Sequence, residues 1–239
     1  MNNLFAVLIE CDNLNSLGGS CLRDVYNIQR MLVSNNVLLT NIYILTNNNA
    51  YFTKKNINNI SNNSKNDFEN VLKKIKNTNN LYIHISGHGY QGADDKHIEL
   101  DNRCEQIVLS SGVFRDVDFN ALLVKYVPQN MKLRVSVDTC HSGSFSNFSY
   151  QITNDNKKIV ETKKNGYFTN AYSISACKDS QLDTCDIGNY GGFGGGLTAH
   201  ILDNNNLIEF LIGDPLKVKN NLVSILKLLS QEPVLLVDN

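Results

Sequence analysis

The 239-residue sequence predicts an α/β fold built on a mostly parallel sheet with helices on both faces. Three observations carry that expectation. Short apolar runs recur along the chain and read as continuous hydrophobics, as strands buried on both faces do. Segments with helical periodicity separate most of them. Two of the runs end in polar, glycine-bearing turns, and open α/β sheets bind ligands beyond the carboxyl ends of their strands.

The first run, "LFAVLIE" (4–10), is a buried strand. "CLRDVYNIQRMLV" (21–33) follows as a helix, because Leu22, Val25, Ile28 and Leu32 fall on one stripe. "NIYILT" (41–46) is the next strand, and a helix "DFENVLKKIKN" (67–77) leads to the strand "LYIHIS" (81–86). The polar stretch 87–105 is expected to be a loop, as is 146–168. "VDFNALLVKYV" (117–127) is helical, and Pro128 ends it. "KLRVSVD" (132–138), "AYSISA" (171–176) and "PVLLV" (233–237) supply three more strands. Further helices fall around "GGLTAHILDN" and "PLKVKNNLVSILKLLS", where Pro215 suits a first-turn position. With no repeat and no Pro, Gly and Ser-rich linker, a single domain over 1–239 is expected.

A formal net charge of −1 gives no general reason to expect nucleic acid or an anionic membrane as partner. The six cysteines form no CxxC pair and show no metal-ligand spacing. The N-terminal apolar run has no basic flank, and no run reaches membrane length. A cytoplasmic protein with reduced thiols is therefore expected.

Chemistry concentrates in "SGHG" (86–89) and "DTCHSG" (138–143), each directly after a strand. A thiol of ordinary pKa is only a few per cent thiolate at neutral pH, so a nucleophilic cysteine gains from a nearby base. His88, between two glycines, is the candidate base, and Cys140 the candidate nucleophile. The backbone N–H groups of Gly89 and Cys140 are candidates for an oxyanion hole. That set performs acyl transfer, with a peptide bond as the natural target. His141 adjoins the cysteine but is expected to point to the other side of the turn, in a structural role.

"YIHISGHG", "VSVDTCHSGSF", "SISACKDSQ", "GGLTAHIL" and "SQEPVLL" together resemble the ordered blocks of a metacaspase catalytic domain, and "GGSCLRDVYNI" resembles the block near that family's first strand. Cys140 stands 52 residues after His88, close to the spacing of about 50 in caspases. The resemblance implies a caspase-like fold with a six-stranded central sheet, a large-subunit-like part over about 1–150 and a small-subunit-like part over about 168–239. It implies a monomeric cysteine endopeptidase acting on protein or peptide substrates, cleaving after Arg or Lys. Asp24, Asp138, Ser86 and Cys21 match the family's substrate pocket, and a cationic side chain requires such carboxylates. The alternative is a catalytically silent caspase-like module that acts by binding protein.

Many metacaspases are activated by calcium, which needs six to eight oxygen ligands. Here Cys104, Val117 and Asn147 stand at positions usually acidic in the family, and only Asp116 keeps its charge. No cofactor is therefore expected, and calcium activation is doubtful. Asp94, Asp95, Asp101 and Glu105 are read as a solvated acidic loop rather than a separate metal site. Lys157, Lys158, Lys163 and Lys164 mark either a self-cleavage segment or a solvated basic hairpin. Cys177 is expected to pack near the active centre, and the glycine cluster 188–196 to wall the substrate cleft.

Overall fold

Strand β1 (Leu4–Cys11) is buried along all eight residues and lies at the middle of the structure, as its unbroken apolar run requires. The computed structural model describes residues 3–12, 17, 19–55, 57, 59–75, 78–95, 102–153, 157–160, 166–181, 195–203, 206–226 and 231–238. Parallel to β1 run β2 (Ile42–Leu45) on one side and β4 (Asn80–Gly87) on the other. Beyond β4 come β8 (Lys132–Asp138) and β11 (Ala171–Ser175), also parallel, and then β12 (Val234–Asp238), antiparallel to β11.

These six are the strands expected, but the sheet has nine. The two-residue β3 (Ile60–Ser61) extends one edge beside β2. At the other edge, β9 (Tyr150–Ile152) and β10 (Lys158–Val160) form an antiparallel hairpin beside β12. Each of the added strands is too short to show an alternating pattern, so pairing with the existing edge decides their structure. The hairpin carries Lys157 at its turn and Lys158 in β10. Lys163 and Lys164 lie outside the described residues.

The expected loop 87–105 is also corrected. Much of it belongs to a separate antiparallel sheet of β5 (Gly89–Ala93), β6 (Arg103–Leu109) and β7 (Gly112–Arg115). Its first strand, "GYQGA", has no apolar alternation, and its register with β6 supplies the order instead.

Helices cover both faces. On one, Val7, Ile83, Ile85 and Val135 pack with Phe68 and Leu72 of α3 (Lys65–Leu72) and Phe119 and Leu123 of α4 (Asp116–Tyr126). Ile107 and Phe114 of the small sheet join that layer. On the other face, Leu8, Ile44, Tyr82 and Ile174 pack with Leu22, Val25 and Ile28 of α1 (Ser20–Ser34). Completing this face are Leu197 of α5 (Gly196–Leu202), Phe210 of α6 (Asn206–Ile212) and Val218 of α7 (Pro215–Leu226). Each such side chain contributes about 1.5–3 kcal/mol on burial, so the two layers together anchor the strand ends that carry the chemistry. Five-residue α2 (Asn49–Thr53) and α6 lie in segments to which the sequence reading assigns no element, too short to announce themselves by period. Among the described residues no helix is long and apolar enough to cross a membrane.

Candidate active site

Strands β4 and β8 are neighbours in register, with Ser86 opposite Asp138, so the turns that follow them adjoin. Gly89 approaches the Cys140 backbone so closely that an added Cβ would lie 1.9 Å from the Cys140 carbonyl oxygen and 2.7 Å from Thr139 Oγ1. Any side chain here would separate the turns. The structure therefore brings together the histidine-bearing and cysteine-bearing segments picked out from sequence. Cys140 is partly exposed, and the His88 side chain is 30% exposed.

His88 is tied from its own backbone and from its ring. Its N–H donates to the Cys11 carbonyl at 3.3 Å, and its Nε2 lies 3.6 Å from Asp12 Oδ1. The other Asp12 oxygen accepts from the Leu17 N–H at 2.9 Å. Asp12 is buried and stands just past β1, whose last residue, Cys11, is paired with Gly87. Sequence reading missed it, although strand order alone would have put the end of β1 beside the histidine turn.

His141 turns away, as expected. Its backbone adopts φ 50°, its N–H donates to the Gln181 carbonyl at 3.0 Å, and its Nδ1 lies 2.5 Å from the Asp179 carbonyl oxygen. With Gly143, Asp179, Gln91, Arg103 and Lys178 it lines a cavity of about 600 Å³. Cys177 packs under the nucleophile turn, its Sγ 3.5 Å from the Thr139 carbonyl oxygen.

The two pocket aspartates meet on the α1 and α5 side of the sheet. Asp24, fully buried in α1, accepts from Ser86 Oγ at 2.8 Å and from the Gly195 N–H at 3.1 Å. Gly195 also lies against Asp138, where an added Cβ would be 2.2 Å from Oδ2. Asp138 Oδ2 accepts from the Thr198 N–H at 2.6 Å and from Thr198 Oγ1 at 2.5 Å, capping the first turn of α5. Its Oδ1 is buried with no hydrogen-bond partner among the described residues. The Cys21 thiol completes the group; burial, and then the Asp24 carboxylate, push its pKa up, so it is a neutral lining. Two buried carboxylates, one with an unsatisfied oxygen, are what a cationic side chain would satisfy.

Thr198 and His84 were not singled out from sequence. Each is a buried polar residue beside Asp138, and neither bears a pattern by which sequence reading separates a working polar group from core filler. Of the glycine cluster 188–196, only Gly195 and Gly196 lie among the described residues.

The second acidic region is not a solvated loop. Asp94 and Glu105 are 4% and 1% exposed, while Asp95 is exposed and pairs with Arg115 at 2.5 Å. Asp101 lies outside the described residues. Glu105 accepts from Gln91 Nε2 at 3.1 Å and from Ser144 Oγ. Burial, and then Asp179, raise its pKa to about 9; burial likewise raises that of Asp116 to about 7. Around Asp116, positions usually acidic in the family carry other groups. Asn147 turns its amide nitrogen to Asp116 Oδ2 at 3.4 Å, placing a donor against the carboxylate. Asp116 Oδ1 accepts from the Val117 N–H at 2.5 Å, and the valine side chain has no ligand atom. The Cys104 thiol donates to the Ala93 carbonyl at 3.4 Å.

Comparison with known proteins gives the family and the fold. Residues 5–149, which include all the site residues named from sequence, match the family model "Metacaspase, peptidase C14 domain". Metacaspase-1 of Plasmodium falciparum (isolate 3D7) is 33% identical over 107 residues, covering 43% of this chain and 18% of that protein. Metacaspase-2 of Arabidopsis thaliana is 31% identical over 124 residues, covering 46% of this chain and 30% of that one. The chain thus spans less than a third of the length of these relatives. Among solved structures, caspase-1 of Spodoptera frugiperda superposes with a TM-score of 0.56 at 8% identity, covering 98% of this chain and 86% of that one. A protein from Geobacter sulfurreducens gives 0.59 at 18% identity, covering 93% and 88%. The chain thus has the caspase-like fold, and the family match over more than half its length makes it a member of the metacaspase family of peptidase C14 domains.

Proposed function

We propose that this chain is a cysteine endopeptidase that cleaves after Arg or Lys, with Cys140 as nucleophile and His88 as base. The observation that carries the reading is the backbone contact of Gly89 with Cys140, together with the two buried carboxylates of Asp24 and Asp138 that meet at Gly195.

In this reading the His88 ring, with Nε2 facing Asp12, takes the thiol proton. Cys140 Sγ then attacks the carbonyl carbon of the scissile bond, and the oxyanion is held by the Gly89 and Cys140 N–H groups. As the tetrahedral intermediate collapses, the C–N bond breaks and His88 returns the proton to the departing amine. Water, activated by the same ring, attacks the thioester and frees the acid product and the thiol. Asp24 and Asp138 hold the cationic side chain before the cleaved bond. Supporting this choice, both carboxylates are buried and Asp138 Oδ1 has no donor among the described residues.

The reaction proceeds without calcium in this reading. What supports that is the wiring around Asp116, where the Asn147 amide and the Val117 N–H take up the carboxylate.

The test is covalent capture. A peptide ending in Arg and carrying a thiol-reactive acyloxymethyl ketone, added in chelator, is expected to label Cys140, with excess Arg- or Lys-ended peptide competing. Mass spectrometry of the digest locates the adduct. Labelling of no cysteine, or of one other than Cys140, would favour the silent protein-binding module.

A further inference from the structure

Behind the pit runs a buried line of polar side chains from three elements. Tyr82 Oη lies 2.7 Å from Ser136 Oγ, Ser136 Oγ lies 2.8 Å from His84 Nδ1, and His84 Nε2 lies 3.5 Å from Thr198 Oγ1. Thr198 Oγ1 ends the line on Asp138 Oδ2 at 2.5 Å. The β-sheet repeat puts Tyr82, His84 and Ser86 on one face of β4, and Ser136 and Asp138 on the same face of β8. All are buried.

The protons along this line have one consistent arrangement. A carboxylate only accepts, so the Thr198 hydroxyl donates to Asp138. The Thr198 oxygen then receives the Nε2–H of His84, which fixes that tautomer. Bare Nδ1 accepts from Ser136, whose oxygen accepts from the Tyr82 hydroxyl. The arrangement needs a neutral ring, and burial holds the His84 pKa down to about 3.

We propose that Thr198 and His84 are positioning residues for the cation pit: they fix Asp138 as the terminal acceptor of a one-way hydrogen-bond chain, reserving Oδ1 for the substrate's charged side chain. This rests on the peptidase reading above. Two Thr198 donors converge on Oδ2, whereas Oδ1 has none among the described residues. A buried oxygen without a donor is costly, and the N–H groups of a cationic side chain would satisfy it. The chain also links Asp138 to the middle of the sheet, so the carboxylate cannot swing to satisfy Oδ1 elsewhere.

The experiment compares Thr198→Val, which keeps the shape and the backbone N–H, with Thr198→Ser, which keeps the hydroxyl. Short Arg-ended fluorogenic peptides give KM and kcat, and the rate of Cys140 alkylation by iodoacetamide reports the nucleophile independently of the pit. Thr198→Val is expected to raise KM by about tenfold with kcat changed by less than about twofold. The alkylation rate should not move, and Thr198→Ser should restore KM. His84→Leu should shift KM in the same direction by less. An unchanged KM in Thr198→Val would overturn the proposal. So would a joint fall in kcat and alkylation rate, which marks a merely structural role. Wild-type protein that alkylates at Cys140 yet cleaves no Arg- or Lys-ended peptide gives a different pattern, and would refute the peptidase reading itself.

Discussion

Gly89 touches Cys140 through backbone alone, at a point where a Cβ would come within 1.9 Å of the cysteine carbonyl oxygen. The contact joins the ends of two neighbouring parallel strands, and it sets the spacing of the His88 and Cys140 turns. A methyl group at position 89 cannot be absorbed by a side-chain rotation, because the atom it meets is backbone. Gly89→Ala is therefore expected to lower kcat/KM by about 10²–10³-fold, the range seen when an oxyanion donor is lost. Steady-state kinetics on Arg-ended peptides checks this, with circular dichroism confirming that the variant is folded.

Asp12 stands 3.6 Å from His88 Nε2 and is itself held by the Leu17 N–H. Its work in this account is to hold the ring in one tautomer and orientation. Asp12→Ala should lower kcat by about tenfold or more, as loss of a group that orients the base does. An equal kcat in variant and wild type would remove Asp12 from the mechanism.

The buried acids predict an unusual pH profile of stability. The Glu105 carboxyl, raised to about 9 by burial and by Asp179, keeps a proton that the unfolded chain releases near the ordinary value of 4.5. Between those values the folded state binds more protons, so stability falls as pH rises. Asp116, raised to about 7, acts in the same direction. His84 acts oppositely below its ordinary 6.5, because the unfolded chain takes up a proton that the folded one refuses down to about 3. Thermal melts should thus show the highest Tm on the acid side of neutrality and a decline above it, by up to about 1.4 kcal/mol per pH unit for each acid. Glu105→Gln should flatten that decline. Parallel profiles for variant and wild type would contradict the assignment.

Asn147→Asp sets a second carboxylate against buried Asp116 in place of the amide donor. In chelator the variant should lose on the order of 2 kcal/mol of stability, and added calcium should return part of it. Wild type should be indifferent to both additions. The readout is Tm with and without calcium.

How much of this was legible in the sequence depends on the kind of signal. The six central strands announce themselves because strands buried on both faces are uninterrupted apolar runs, as in β1 and β8. The His88 and Cys140 turns were legible because glycine and polar residues follow such runs directly. What sequence missed is order imposed by neighbours. The small sheet begins with "GYQGA", whose pairing with β6 overrides a composition typical of a loop. Glu105 and Asp94 read as solvated acids because residue type gives exposure only on average, and here tertiary packing buried them. Asp12 and Thr198 were invisible for a third reason. Each matters through a partner distant in sequence, His88 and Asp138, and only the folded sheet makes the pair.

The central claim is tested most directly by hydrolysis of matched fluorogenic peptides ending in Arg, Lys or Asp, in chelator, by wild type and Cys140→Ala. The account predicts cleavage after Arg and Lys, none after Asp, and complete loss in Cys140→Ala. Hydrolysis that persists in Cys140→Ala, or that prefers the Asp-ended peptide, would contradict it.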